Sequence, residues 1–144
     1  YQEEIDALAK NLNTTYGTAN WVPIEIFYEN NYTQALAGMR LYDVLLVNPV
    51  ADGMNLVAKE GPVVNTRNGV LVLSEATGAY DQLKGGAVSV APADLAGLAN
   101  AFYQALTMPI EEKQRRNDLL IKSIETEDVT QWIHSQITDI AGLM

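Results

Sequence analysis

Cysteine is absent from these 144 residues, and histidine occurs once, at His134. The first absence removes a disulfide framework, a thiolate nucleophile and a zinc knuckle. The second, with no spaced set of carboxylates, leaves nothing to build a transition-metal site. No metal and no cofactor are expected. His134 lies between Ile133 and Ser135 and reads as a surface or groove residue, not a catalytic one. Basic residues are also scarce: 9 Lys and Arg stand against 18 Asp and Glu, for a net charge of −9. Nucleic acid and anionic membrane both need basic surface, so neither is expected as a partner. No apolar run approaches the ~20 residues of a membrane span, and no charged n-region with an apolar h-region opens the chain. A cytoplasmic location fits. The chain starts at Tyr1-Gln2-Glu3-Glu4, without Met, in what reads as mid-helix, so a fragment is expected. Gly-x-Ser-x-Gly and Gly-x-x-x-x-Gly-Lys are both missing, which disfavours a hydrolase elbow after Ser74 and a phosphate loop.

What is present is a soluble, core-forming composition, with 48% hydrophobic and 19% charged residues. One domain is expected over 1–144, with no linker, repeat or low-complexity tract. Ile5, Leu8, Ala9 and Leu12 recur at helical spacing within Gln2–Asn13. Trp21–Tyr28 reads as a strand whose Pro23 belongs at its start or on an edge, and Tyr32–Leu41 as a helix. Asp43–Val47, Gly69–Ser74 and Ala87–Ala91 are nearly continuous apolar runs, as parallel strands covered on both faces are. Between them fall a helix from about Met54 to Glu60, a loop over 61–68 and a short helix Ala76–Leu83. Asp94 can cap Leu95–Leu106; Pro109 opens a helix to about Ile124; Asp128 or Thr130 starts a last one bearing Trp132, Ile133, Ile137 and Ile140. Strands alternating with helices make the class α/β, a Rossmann-like parallel sheet with helices on both faces.

The chain is organised around Asn48–Glu60. Its preceding apolar run stops at Asn48-Pro49, because proline offers no N–H to a ladder. Asp52-Gly53 reads as a tight turn whose Asp caps the helix that follows. The amides of Gly53, Met54, Asn55 and Leu56 would then point out of a helix N-terminus, where an anion is stabilised. Glu60 is eight residues beyond Asp52, about 12 Å if all of it is helix. That span suits a sugar, a diphosphate and a ribose, whose hydroxyls an acidic residue can accept. Thr77-Gly78-Ala79, past the carboxyl end of another strand, reads as a structural turn whose small residues could also let a ligand approach. Gly85-Gly86 reads as a helix-to-strand turn.

Asp52-Gly53-Met54-Asn55-Leu56-Val57-Ala58-Lys59-Glu60 resembles the nucleotide-sugar motif of the trehalose-6-phosphate synthases, glycosyltransferase family 20. The likeness extends to Arg40–Pro49, Gly69–Glu75, Gly78-Ala79 and Ala105–Met108, and covers essentially the whole chain. It implies the C-terminal, donor-binding half of a GT-B glycosyltransferase, lacking its first two strands. In the sheet order 3-2-1-4-5-6, the Trp21 strand would be the third and would pair with a missing second. The resemblance also implies a metal-independent retaining transfer of glucose from a nucleotide-diphosphate glucose, UDP-glucose, to glucose 6-phosphate. Asp52, Gly53, Met54 and Asn55 would bind the donor sugar, Asn55 and Leu56 the diphosphate, and Glu60 the ribose. Ala51 departs from the Arg that many members carry there. Nothing in 1–47 matches the family's diphosphate-clamping Arg and Lys, and the acceptor-binding N-terminal half lies outside the sequence. A glucosylglycerol-phosphate synthase-like transferase and a non-catalytic nucleotide-sugar binding module are the alternatives. The oligomeric state stays open, a homo-oligomer included.

Overall fold

The computed structural model describes residues 1–143 in two compact units, Tyr1–Asn31 and the chain from Tyr32 onward. In the first, α1 spans Gln2–Tyr16. The expected strand Trp21–Tyr28 does not form. Ile24 shows the reason: its N–H donates to Asn13 Oδ1 and its carbonyl accepts from Asn13 Nδ2, both at 2.8 Å. A side-chain amide thus takes the two backbone groups that a neighbouring strand would have taken, and no such neighbour exists within the unit. The only ladder-like feature is an isolated antiparallel bridge, Thr18 to Trp21.

The second unit contains α2 (Tyr32–Leu41), β1 (Val44–Val47), α3 (Leu56–Val64), β2 (Val70–Ser74), α4 (Tyr80–Leu83), β3 (Val88–Val90), α5 (Leu95–Thr107), α6 (Ile110–Thr126) and α7 (Val129–Gly142). The three strands are parallel in the order β1-β2-β3, with Val47 opposite Leu73 and Ser74 opposite Val90. Strand alternation divides the core. Leu71 and Leu73 pack on one face with Val47, Ala58, Leu83 and Leu120. Val70 and Val72 pack on the other with Val88, Val90, Ala101 and Ala105. Helices α3, α4 and α6 therefore cover one face and α5 the other. This is the Rossmann-like layering that the continuous apolar runs predict.

Helix boundaries differ from the periodicity in two informative places. Helix α3 starts at Leu56, not Met54, and runs through Pro62 to Val64, where a loop is expected. Gly61 and Pro62 are buried, and a Cβ at Gly61 would strike the side chain of Leu45. Packing against β1 thus holds the helix past a residue that would break it in isolation. Helix α4 is only Tyr80–Leu83, because Ala76–Ala79 is spent on other hydrogen bonds. Asp94 and Asp128 cap α5 and α7 as expected, accepting from Gly97 N (2.9 Å) and Gln131 N (2.8 Å). Among the described residues, no helix is long and apolar enough to cross a membrane.

Candidate functional site

The carboxyl ends of the three strands lie together, and their loops are tied to one another. Ser74, fully buried, donates from Oγ to Pro49 O (2.8 Å) and accepts from Ala76 N (3.1 Å). Asn48 Nδ2 donates to Pro92 O (3.2 Å), joining the end of β1 to the segment after β3. Ser74 is thus a structural bolt between loops. At this edge β1 gives way to the Asn48–Asn55 loop and then to the N-terminus of α3.

Within that loop Asp52 has a different role from the expected one. It does not cap α3. Asn55 does, with Oδ1 accepting from Ala58 N at 2.9 Å. Asp52 Oδ1 accepts from Met54 N (3.1 Å), and Oδ2 accepts from Asn55 Nδ2 (2.9 Å). The Asn55 bond first, and the Met54 amide second, hold the Asp52 carboxyl below its ordinary range, so it is ionised. The cap moves because Asn55 has φ 75 and ψ 95, a left-handed conformation that interrupts the chain just before Leu56. Asparagine tolerates that region better than most residues, and here its amide braces both neighbours.

Three consequences follow for an anion. The Met54 amide, expected free, is used by Asp52. The amides of Gly53, Asn55 and Leu56 carry no hydrogen bond within the chain among the described residues, so they remain available at the helix head. Finally, Glu60 is only four residues into α3, about 6 Å along the axis from Leu56, so the 12 Å helical span was an overestimate. Glu60 is half-buried and forms no ion pair or hydrogen bond among the described residues, leaving both its oxygens free to accept. It borders a groove of about 210 Å³ with Tyr32, Leu36, Val63 and Ile124. A second groove, of about 380 Å³, runs beside the loop between Met54, Lys59, Val129 and Trp132. The fold thus brings Asp52, Gly53, Met54, Asn55 and Leu56 together at one helix head, with Glu60 one turn further on. His134 is exposed on α7, as a surface residue should be.

Two features escape sequence reasoning. One is the double duty of Asn55, for which Asn-Leu after Asp-Gly gives no distinctive signal. The other is the Ala76–Ala79 loop, which pairs with the Asp52 loop through a parallel bridge between Asp52 and Thr77. Small residues past a strand end were its only trace.

A sequence profile of glycosyltransferase family 20 matches residues 1–142. A trehalose-6-phosphate synthase from Sinorhizobium fredii is 37% identical over 144 residues, covering 98% of this chain and 31% of its own length. A glucosylglycerol-phosphate synthase from Picosynechococcus sp. is 36% identical, over 91% of this chain and 26% of its own. A solved structure of the E. coli trehalose-6-phosphate protein bound with UDP-2-fluoro glucose superposes with a TM-score of 0.86 at 33% identity, over 96% of this chain and 31% of that one. The chain thus spans about a third or less of the relatives it matches. With a family profile covering nearly its full length, a Rossmann-like sheet that matches solved relatives and the nine-residue motif at the head of α3, the chain belongs to glycosyltransferase family 20.

Proposed function

We propose that this chain is the partial C-terminal nucleotide-sugar-binding domain of a GT-B glycosyltransferase. The enzyme would move glucose, with retention, from UDP-glucose to glucose 6-phosphate, giving trehalose 6-phosphate. The observation that carries the reading is the head of α3. Unbonded amides at Gly53, Asn55 and Leu56 sit between an ionised Asp52 and an unpaired, half-buried Glu60. An anion at the helix head would receive N–H donors already oriented by the fold, and the positive end of the helix dipole would stabilise charge growing on a departing diphosphate. Asp52 retains unused lone pairs for hydroxyls of the donor sugar, and Glu60 can accept both hydroxyls of a ribose. The E. coli structure with UDP-2-fluoro glucose supports the donor class, and the name of the Sinorhizobium relative supports the product.

The experiment is calorimetric titration of the full-length protein with UDP, comparing wild type with Glu60→Ala. Loss of charge-assisted hydrogen bonds, worth about 1.5–3 kcal/mol each, should weaken UDP binding tenfold or more. Unchanged affinity would falsify the ribose role. The isolated 144 residues should show no glucosyl transfer with UDP-glucose and glucose 6-phosphate, since the proposed acceptor site and diphosphate clamp belong to other segments. A second reading, a glucosylglycerol-phosphate synthase, draws support from the 36% identical Picosynechococcus relative. It shares the donor site and differs in acceptor, so assaying glycerol 3-phosphate beside glucose 6-phosphate separates the two.

A further inference from the structure

The turn that presents the motif's amides is not held by its own helix alone. We infer that Gly78 is a positioning residue for donor binding, fixing the place of Gly53 and Met54 through backbone contact. The inference deepens the donor-site reading and rests on it.

Three backbone hydrogen bonds join the two loops. Asp52 N donates to Ala76 O (3.3 Å), Gly78 N to Asp52 O (2.8 Å) and Ala79 N to Met54 O (3.0 Å). Ala79 is itself buried in the core with Leu83 and Leu73, so the clamp is anchored to the sheet rather than floating on the surface. At Gly78 the two backbones approach so closely that a Cβ would overlap the Gly53 carbonyl and come within 3.0 Å of Met54 N. The displaced group is therefore backbone, which cannot swing aside as a side-chain end does. Gly78 is solvent-exposed and has no positive φ, so alanine there would neither overfill the core nor strain its own backbone. The three atoms nearest that Cβ all belong to the motif turn. Glycine at this position is thus required by what the turn must do, not by the local conformation.

The consequence concerns substrate placement. Pushing Gly53 outward moves the Gly53 and Met54 peptides, which face the donor sugar, while Leu56 and Glu60 stay fixed by α3. Misplacements on the order of 1 Å at a reacting centre cost up to about a hundredfold in rate. The donor-dependent parameters should suffer, and the acceptor-dependent ones should not.

The test is steady-state kinetics of the full-length protein carrying Gly78→Ala, varying UDP-glucose and glucose 6-phosphate separately, with Gly85→Ala as control because a Cβ there meets nothing within 4 Å. Gly78→Ala should raise the donor KM by about tenfold or more, leave the acceptor KM within about twofold, and weaken UDP-glucose binding more than UDP binding. Gly85→Ala should match wild type. A lowered melting temperature or active fraction with an unchanged donor KM would show a merely structural glycine and overturn the inference. If Gly78→Ala yields no folded protein, Ala79→Pro removes the clamp's N–H donor to Met54 O at a φ of −78 that proline accepts. A donor KM unchanged in that variant likewise overturns the inference. Asp52→Asn and Glu60→Ala run alongside: if both leave donor binding intact, the donor-site reading itself fails and this inference with it. If they impair donor binding while Gly78→Ala does not, only the role of Gly78 falls.

Discussion

Replacing Asn55 by alanine and by glycine separates its two jobs. The alanine variant loses the N-cap bond to Ala58 N, a change worth about 1 kcal/mol. It also places a Cβ-bearing residue without a side-chain hydrogen bond at φ 75, which costs about 1–2 kcal/mol more. Together the loss is about 2–3 kcal/mol. Glycine loses only a few tenths as a cap and meets no steric penalty at positive φ, though it adds backbone entropy to the unfolded chain. Its net cost should stay near 1 kcal/mol. In a full-length background, larger than this chain alone, 1 kcal/mol corresponds to about 2–4 °C or less. Asn55→Ala should therefore lower the melting temperature by about 5 °C and Asn55→Gly by about half of that or less. The measurement is thermal unfolding of wild type and both variants in one full-length background, followed by circular dichroism. Both variants should also bind UDP-glucose less well than wild type, because both release Asp52 Oδ2 from Asn55 Nδ2. Equal melting temperatures for the two variants would refute the reasoning, since the left-handed backbone would then carry no cost for alanine.

Asp52→Asn removes one acceptor oxygen and sets an NH₂ against the Asn55 amide, so kcat/KM should fall tenfold or more, about 1.4 kcal/mol. UDP affinity should barely change, because UDP lacks the sugar. Thr77 is 3% exposed and its hydroxyl has no hydrogen-bond partner among the described residues. Thr77→Val removes the unsatisfied hydroxyl at nearly constant shape and should leave the melting temperature unchanged or slightly raised. A clear drop there would show a hydrogen bond that the geometry does not contain. Glu112 is paired with Arg115 and Arg116, and the Arg115 bond above all lowers its carboxyl from 4.5 to about 2. A depressed folded-state value means that its stabilisation is complete above pH 4.5 and is lost as pH falls toward 2. Glu112→Gln should flatten the stability profile in that window and lower stability by a constant amount above it, kept small because the ion pairs are solvent-screened. An acid limb identical to wild type would remove Glu112 from the account.

Much was legible in the chain itself. Apolar runs ending at Val47, Ser74 and Ala91 marked parallel strands, because a strand covered on both faces must be apolar throughout. Asp94 and Asp128 announced helix starts through chemistry confined to a few neighbouring residues. The string Asp52–Glu60 placed the candidate site at a strand's carboxyl end. Tertiary structure decided what depends on residues distant in sequence. Trp21–Tyr28 has strand composition, yet Asn13 takes the backbone groups of Ile24, since a strand requires a partner and composition cannot supply one. Pro62 stays helical because Gly61 lets α3 press onto Leu45. The cap passed from Asp52 to Asn55, and Gly78 gained its purpose, only once β1 and β2 lay side by side. Register then set the loop after one strand against the loop after the other, and hydrogen bonds between them fixed which amides stayed free.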